Sequence, residues 1–388
     1  MKQLAAAAVL MFVAAADAAS AQCTSVVEQI ASRDSQTSLV AGPSAWNGSM
    51  LAVASNQARN GSVWAGLYNE LGDLLYPSTK IPSSENADIL DVFWNGAHFG
   101  IFFRTEDDQL VLRRFTTAAE LIGSALTPGK IVIEDDEDVD MLWSSRLNAY
   151  VLVRVENDPP RALWLTYINV DGTVRRNVNM GVVPAADSLV RIAETQSGMI
   201  GVWFEADGTN NLTQIRVEEG QKDYIRKVWT PGEDNDLVVA AYDNQFVLAR
   251  TVTQSDGRTT VRWKMVDTLG FDTREEGRLL IGSGKDVRPL ALLARGNELA
   301  ITYLDARDGF ATQTPSFRLR RFNPVNGDAI SDTYFAAADR ARHRAATEYD
   351  FHWTGTAYVA VAVRETDDGD DSFLLRLCPL DAGIAGPH

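Results

Sequence analysis

A segment of about fifty residues recurs seven times along this chain, and that period decides what the chain can fold into. Each copy opens with an aromatic or small residue and a turn: Trp46-Asn47-Gly48, Trp94-Asn95-Gly96, Trp143-Ser144-Ser145, Ala193 leading to Ser197-Gly198, Tyr242-Asp243-Asn244, Ala294-Arg295-Gly296 and Trp353-Thr354-Gly355. The openers follow one another at 48, 49, 50, 49, 52 and 59 residues. A second landmark keeps the same beat: turn glycines at Gly72, Gly123, Gly172, Gly220, Gly270 and Gly327 are spaced 51, 49, 48, 50 and 57 residues apart. Glycine supplies the positive φ that a tight hairpin needs. Repeats of this length signal solenoids or propellers, and repeats made of short strands favour the propeller.

Four strands fit in each copy. An apolar run leads into the opener, as in Ile89-Leu90-Asp91-Val92-Phe93 or Leu237-Val238-Val239-Ala240. A second follows it, as in Phe99-Gly100-Ile101-Phe102-Phe103 and Tyr358-Val359-Ala360-Val361-Ala362. A third alternates, as in Leu163-Trp164-Leu165-Thr166-Tyr167-Ile168, and a fourth comes after the glycine turn. Continuous apolar runs read as strands buried on both faces, and alternation as strands buried on one. The expected fold is all-β: a seven-bladed β-propeller of four-stranded antiparallel blades.

The seventh copy stops after its third strand, Phe373–Leu377, while the N-terminus carries a spare strand from Cys23 to Ile30. An unclosed ring would leave an unpaired edge, so the N-terminal strand is expected to complete the last blade. This gives a single domain over 22–388: a closing strand and linker (22–36), seven repeats (37–380) and a tail (381–388). The closure brings the chain's two cysteines, Cys23 and Cys378, onto neighbouring strands within reach of a disulfide. Such a bond would restrict the unfolded chain by about 5 kcal/mol.

Residues 1–21 read as a signal peptide. Lys2 forms the charged start, Leu4 to Ala16 the apolar stretch, and Ala19-Ser20-Ala21 the cleavage site. The mature chain, starting near Gln22, is expected to be secreted or periplasmic, where disulfides persist. A lipid anchor at Cys23 is the rival reading, against which Ser20 and Gln22 fit a lipobox poorly. No other segment is apolar over a membrane-spanning length.

The Trp-Asn-Gly opener, apolar strand and acidic loop together resemble secreted bacterial seven-bladed β-propeller repeat proteins over almost the whole mature chain. The resemblance implies the fold and carries no catalytic residue. The sialidase Asp-box and the WD40 Gly-His…Trp-Asp pair are missing from the sequence.

The formal net charge is −16, which disfavours nucleic acid and anionic membranes as partners. In a propeller the loops between fourth and first strands share a face with those between second and third. That face collects Glu106-Asp107-Asp108, Glu134 through Asp138, Glu205, Asp207, Glu233, Asp234, Asp305 and Glu365 through Asp371. Asp88, Asp187 and Asp236 each lie six residues before an opener, and oxygen ligands arrayed around a channel mouth suit Ca²⁺. The alternative is that these aspartates cap turns in water. The longest copy holds a basic insertion with Arg340, Arg342, His343 and Arg344, a candidate contact for a partner. The tryptophan openers admit two readings, sugar stacking or packing between blades; their fixed repeat position favours packing.

No P-loop, Gly-x-Ser-x-Gly or His-Glu-x-x-His motif occurs. The expected function is an exported non-catalytic binding or scaffold propeller, a monomer, recognising a protein or glycan on its acidic face. A carbohydrate-active enzyme using a carboxylate pair is the alternative.

Overall fold

A computed structural model describes residues 26–32, 39–57, 60–134, 137–157, 160–185, 188–206, 211–218, 221–229, 236–253, 256–279, 286–306, 316–336, 350–366 and 369–377. Within them lie seven four-stranded antiparallel sheets arranged as a seven-bladed propeller. Blade 1 is β2 (Leu39–Trp46), β3 (Leu51–Gln57), β4 (Val63–Tyr68) and β5 (Leu74–Lys80), with β1 (Val26–Ser32) preceding it in the chain. Blade 2 is β6 (Asp88–Trp94), β7 (Phe99–Arg104), β8 (Leu110–Phe115) and β9 (Leu121–Leu126). Blade 3 is β10 (Val139–Ser144), β11 (Ala149–Glu156), β12 (Ala162–Asn169) and β13 (Val174–Asn179). Blade 4 is β14 (Arg191–Glu194), β15 (Ile200–Ala206), β16 (Asn211–Glu218) and β17 (Gln221–Trp229). Blade 5 is β18 (Leu237–Tyr242), β19 (Gln245–Thr253), β20 (Thr259–Asp267) and β21 (Asp272–Leu279). Blade 6 is β22 (Asp286–Arg295), β23 (Glu298–Ala306), β24 (Ser316–Phe322) and β25 (Ala329–Ala336).

Blade 7 holds β26 (Phe351–Trp353), β27 (Tyr358–Thr366) and β28 (Gly369–Leu377), and its fourth strand is β1. β1 runs antiparallel to β28 with Val26 opposite Arg376 and Gln29 opposite Phe373. The closure expected from the truncated seventh repeat is therefore present. Cys23, Cys378 and the Arg340–Arg344 insertion lie outside the described residues.

Burial explains the strand patterns. The first strands of successive blades touch one another around the whole ring, which makes them the innermost strands. Second strands are sandwiched between blades and apolar on both faces: every residue of β7 from Phe99 to Phe103 is buried. Outer strands face water on one or both sides, so β13 alternates and β5 is exposed over Leu74–Pro77. The core is accordingly divided into seven hydrophobic clusters, one in each seam between neighbouring blades. The tryptophan openers belong to these seams. Trp94 packs on Phe99, Trp143 on Tyr150 and Trp353 on Tyr358, with ring centroids 4.8–4.9 Å apart. Beyond these contacts inside a blade, Trp46, Trp94, Trp143 and Trp353 pack against apolar clusters that span neighbouring blades, the role their repeat position pointed to.

One landmark moves. Gly72, Gly172, Gly270 and Gly327 take positive φ in the turn between third and fourth strands. In blade 2 that position belongs to Ala119 at φ 60°, whose N–H bonds Thr116 O as Gly172 N–H bonds Asn169 O. Gly123 instead lies inside β9, where the pairing with β8 shifts register. The sequence spacing absorbed this slip because Ala119 and Gly123 are only four residues apart.

Candidate functional site

An innermost strand has a free edge. Its amides face the channel, where they need acceptors. In three blades the acceptor is an aspartate placed three residues before the tryptophan: Asp91 before Trp94, Asp140 before Trp143 and Asp350 before Trp353. Asp140 Oδ2 accepts Ile192 N–H of the next blade at 2.8 Å. Asp350 accepts Ser44 N–H of blade 1 in the same way. Asp138, at the mouth of blade 3, accepts Val190 N–H and pairs with Arg191 at 3.5 Å. These carboxylates are stitches between blades. Asp140 and Asp350 carry the sequence signal Asp-x-x-Trp, a spacing of three residues that the acids six residues ahead of the openers do not share.

Asp91 differs. The amide corresponding to Ser44 N–H in blade 3 is Met141 N–H, two residues before its tryptophan, and Asp140 Oδ1 already accepts it at 2.9 Å. Among the described residues, Asp91 accepts one hydrogen bond, from its neighbour Val92 N–H at 2.6 Å. A β-bulge at Leu90 sets its direction, since Ile89 pairs with Phe103 and Asp91 with Phe102. A second bulge, between Ala41 and Ser44, aims Ser44.

Ser44 is 4% exposed and its Oγ lies 2.9 Å from His352 Nε2. Asp350, Ser44, His352, Asp91 and Asp140 thus form a polar belt contributed by blades 7, 1, 2 and 3. Asp91 and Asp140 retain some surface open to water although protein surrounds them on every side, as a narrow channel requires. Burial pushes the Asp140 carboxyl up to about 6, against the pull of Arg191 and two backbone amides. Burial, then the charges of Asp350 and Asp140, holds Asp91 well above the usual carboxylate range. Burial alone brings the His352 imidazole down to about 4. At neutral pH His352 is therefore uncharged.

The three acids expected at the channel mouth have separate surroundings. Asp88 is exposed and pairs with Arg104. Asp236 accepts Thr251 Oγ1 at 3.1 Å and lies 3.8 Å from Arg288. Asp187 lies outside the described residues. Among the described residues no group of three or more histidine, cysteine or acidic side chains is assembled to hold a metal ion. On the loop face, Glu106, Asp107 and Asp256 are exposed, while Glu137 pairs with Arg154 at 3.1 Å and Asp305 with Arg318 at 3.2 Å. Part of the negative charge on this face is therefore locally balanced. Among the described residues no helix is long and apolar enough to cross a membrane.

No protein-family model matches the chain, and no curated protein matches it in sequence. Solved structures do resemble it in fold. A puromycin hydrolase S511A mutant complexed with PGG aligns at 14% identity and TM-score 0.56, covering 88% of this chain and 52% of that one. An acylaminoacyl peptidase in complex with Z-Gly-Gly-Phe-chloromethyl ketone aligns at 11% identity and TM-score 0.55, covering 87% and 51%. The SapL1 lectin in complex with alpha methyl fucoside aligns at 11% identity and TM-score 0.45, covering 77% and 96%. The chain spans about half the length of the two hydrolytic proteins. At these identities the likeness is one of fold.

Proposed function

We propose that the chain is an exported, non-catalytic binding or scaffold propeller that recognises a protein or glycan on its acidic loop face. One observation carries this reading. Asp138, Asp140 and Asp350, the aspartates that serve the channel edge, are engaged in holding backbone amides of the next blade, whereas Glu106, Asp107 and Asp256 are left exposed on the loops. Exposed carboxylates steer basic groups and confer salt-sensitive binding.

The test compares the mature chain with the variant Glu106→Lys, Asp107→Lys, Asp256→Lys on a glycan array and on a panel of basic peptides. Binding by the parent that falls at least tenfold in the variant and with added salt supports the reading. Binding that is indifferent to the three changes overturns the assignment to this face. The disulfide Cys23–Cys378 and a Ca²⁺ ion near Asp88, Asp187 and Asp236 belong to the same proposal. Mass spectrometry of the non-reduced mature chain should find no alkylatable thiol, and added Ca²⁺ should raise the Tm by mass action; two free thiols or an unmoved Tm removes the corresponding element.

A second reading, a carbohydrate-active enzyme, draws on Asp91. A carboxyl held well above the usual carboxylate range by burial, within electrostatic range of Asp350 and Asp140, is one half of the pairing that glycosidic bond hydrolysis employs. Release of reducing sugar from a glycan library, lost in Asp91→Asn, would favour it over the binding role.

A further inference from the structure

The outermost strand of a blade ends its sheet with an open edge, and the blades differ in how they protect it. In blade 3, β13 turns Arg175, Asn177 and Asn179 to water. In blade 5, β21 carries Arg274, Glu275, Glu276 and Arg278. In blade 1, β5 has no such protection. Leu74, Leu75 and Tyr76 are 48%, 40% and 40% exposed, Pro77 is exposed beside them, and Leu71 in the preceding turn is 42% exposed. No charged residue stands between Leu74 and Thr79. Large apolar side chains exposed singly are ordinary, whereas neighbouring ones mark a surface that another molecule covers.

We propose that the occupant is a second copy of this chain: two β5 strands meet across a two-fold axis, in place of the monomer expected from the sequence. Charge selects that occupant. Each copy carries a net charge of −16, so copies approach most readily where acids are few. The uncharged run of β5 is such a place, and its ends are of opposite sign, with Asp73 just before the strand and Lys80 at its close, both exposed. A two-fold contact uses one patch twice, so each residue meets its counterpart reciprocally. An antiparallel apposition centred between Tyr76 and Pro77 sets Asp73 of each copy opposite Lys80 of the other, with Leu75 opposite Ser78 and Tyr76 opposite Pro77. The present partners of these two charges, Asn69 at 2.7 Å and Glu85 at 2.9 Å, are exposed contacts that exchange at little cost. Glu70, in the same turn as Asp73, is engaged by Arg376 at 3.1 Å.

Pro77 and the register shifts of β5 against β4 blunt its edge for ladder pairing. The copies therefore meet through side chains, and the two-fold contact closes on itself instead of growing into a fibre. Four exposed side chains supply less than the about 800 Å² per partner of a standard interface, so the pair is weak and concentration-dependent. β5 is an outermost strand, so pairing leaves both loop faces free, whatever they bind.

The test is analytical ultracentrifugation of the mature chain from about 2 to about 200 μM. The parent should pass from one copy to two over that range, and Leu75→Lys, at an exposed position, should raise the dissociation constant at least tenfold. Asp73→Lys alone and Lys80→Glu alone should each weaken the pair at least fivefold. An equal mixture of these two variants should restore it, because the mixed pair joins opposite charges at both ends. A parent that stays single throughout the range overturns the proposal, and Tyr76 shielded from nitration in that single parent would assign the cover of β5 to another part of the same chain. A pair that survives Leu75→Lys, or a mixture no tighter than either variant alone, overturns it as well.

Discussion

The seam between blades 3 and 4 and the seam between blades 7 and 1 perform one task with different means. At the first, Asp138 and Asp140 accept Val190 and Ile192 amides, Ser144 Oγ donates to Glu194 at 2.7 Å, and a broad apolar cluster runs from Val151 to Val217. Asp138 also pairs with Arg191 there, and Arg146 donates to Ser197 O. At the second, Asp350 repeats the amide contact, and the remaining polar contacts reach from both ends of the chain. Ser44 meets His352, Ala41 N–H bonds Ser372 Oγ at 2.7 Å, and Glu70 gathers Thr354, Thr356 and Arg376 at 3.0–3.2 Å. Chain continuity accounts for the contrast. Blades 3 and 4 are joined by a short connection, so their meeting costs little loop-closure entropy. Residues 33–38 link β1 of blade 7 directly to β2 of blade 1, but the other three strands of blade 7 are tied to β1 by pairing alone, so opening of the ring is resisted by the β1–β28 ladder and the contacts of the seam.

The largest test of this difference removes β1. Deleting residues 22–35 leaves β28 as an open edge, and the loss of stability should be on the order of 5 kcal/mol, a large part of what a single domain has. Urea unfolding measures it. A chain that unfolds at the parent midpoint without β1 would show that the two seams are equivalent.

The next test uses pH at the interior seam. Asp140 titrates near 6 in the fold, above its unfolded value of 3.8. Its contribution is therefore full below pH 3.8 and is lost as pH rises through 6, an effect of at most about 3 kcal/mol before screening by channel water. Asp140→Asn keeps an acceptor for Ile192 N–H and should remove this slope from a plot of unfolding free energy between pH 4 and 7. An unchanged slope would assign the titration elsewhere.

The smallest test compares two clips on the turn face. Glu70→Ala should cost about 1 kcal/mol, because the Arg376 side chain it meets is only 4% exposed. Arg146→Ala, which removes an exposed donor to Ser197 O, should stay within about 0.5 kcal/mol. Urea midpoints in the reverse order would mean the closure does not depend on its polar clips.

How far these seams could be read from the sequence varies with the kind of interaction. Period and patterning are local, so the blades, the buried second strands and the closing strand were legible in the chain alone. The slip from Gly123 to Ala119 was hidden because a positive φ is available to alanine at modest cost, so the residue type does not mark it. The stitches were harder. Asp140 and Ile192 are 52 residues apart, and their contact depends on a bulge-free β10 beside β14, a matter of register that composition does not encode. The acids at Asp88 and Asp236 stood out by position, yet each sits next to an arginine, Arg104 and Arg288, supplied by a neighbouring strand. Charge counting sees the carboxylates and misses the cations that pairing brings to them.

The partnership of Val26 with Arg376 also sets a clock. The strand that finishes the last blade is made first, and its mate is made roughly 350 residues later. At ordinary synthesis rates of roughly 5–20 residues per second the delay is about 20–70 s. Through that interval β1 must stay extended and unpaired while six complete blades take shape behind it, and any neighbouring chain with an open edge competes for it.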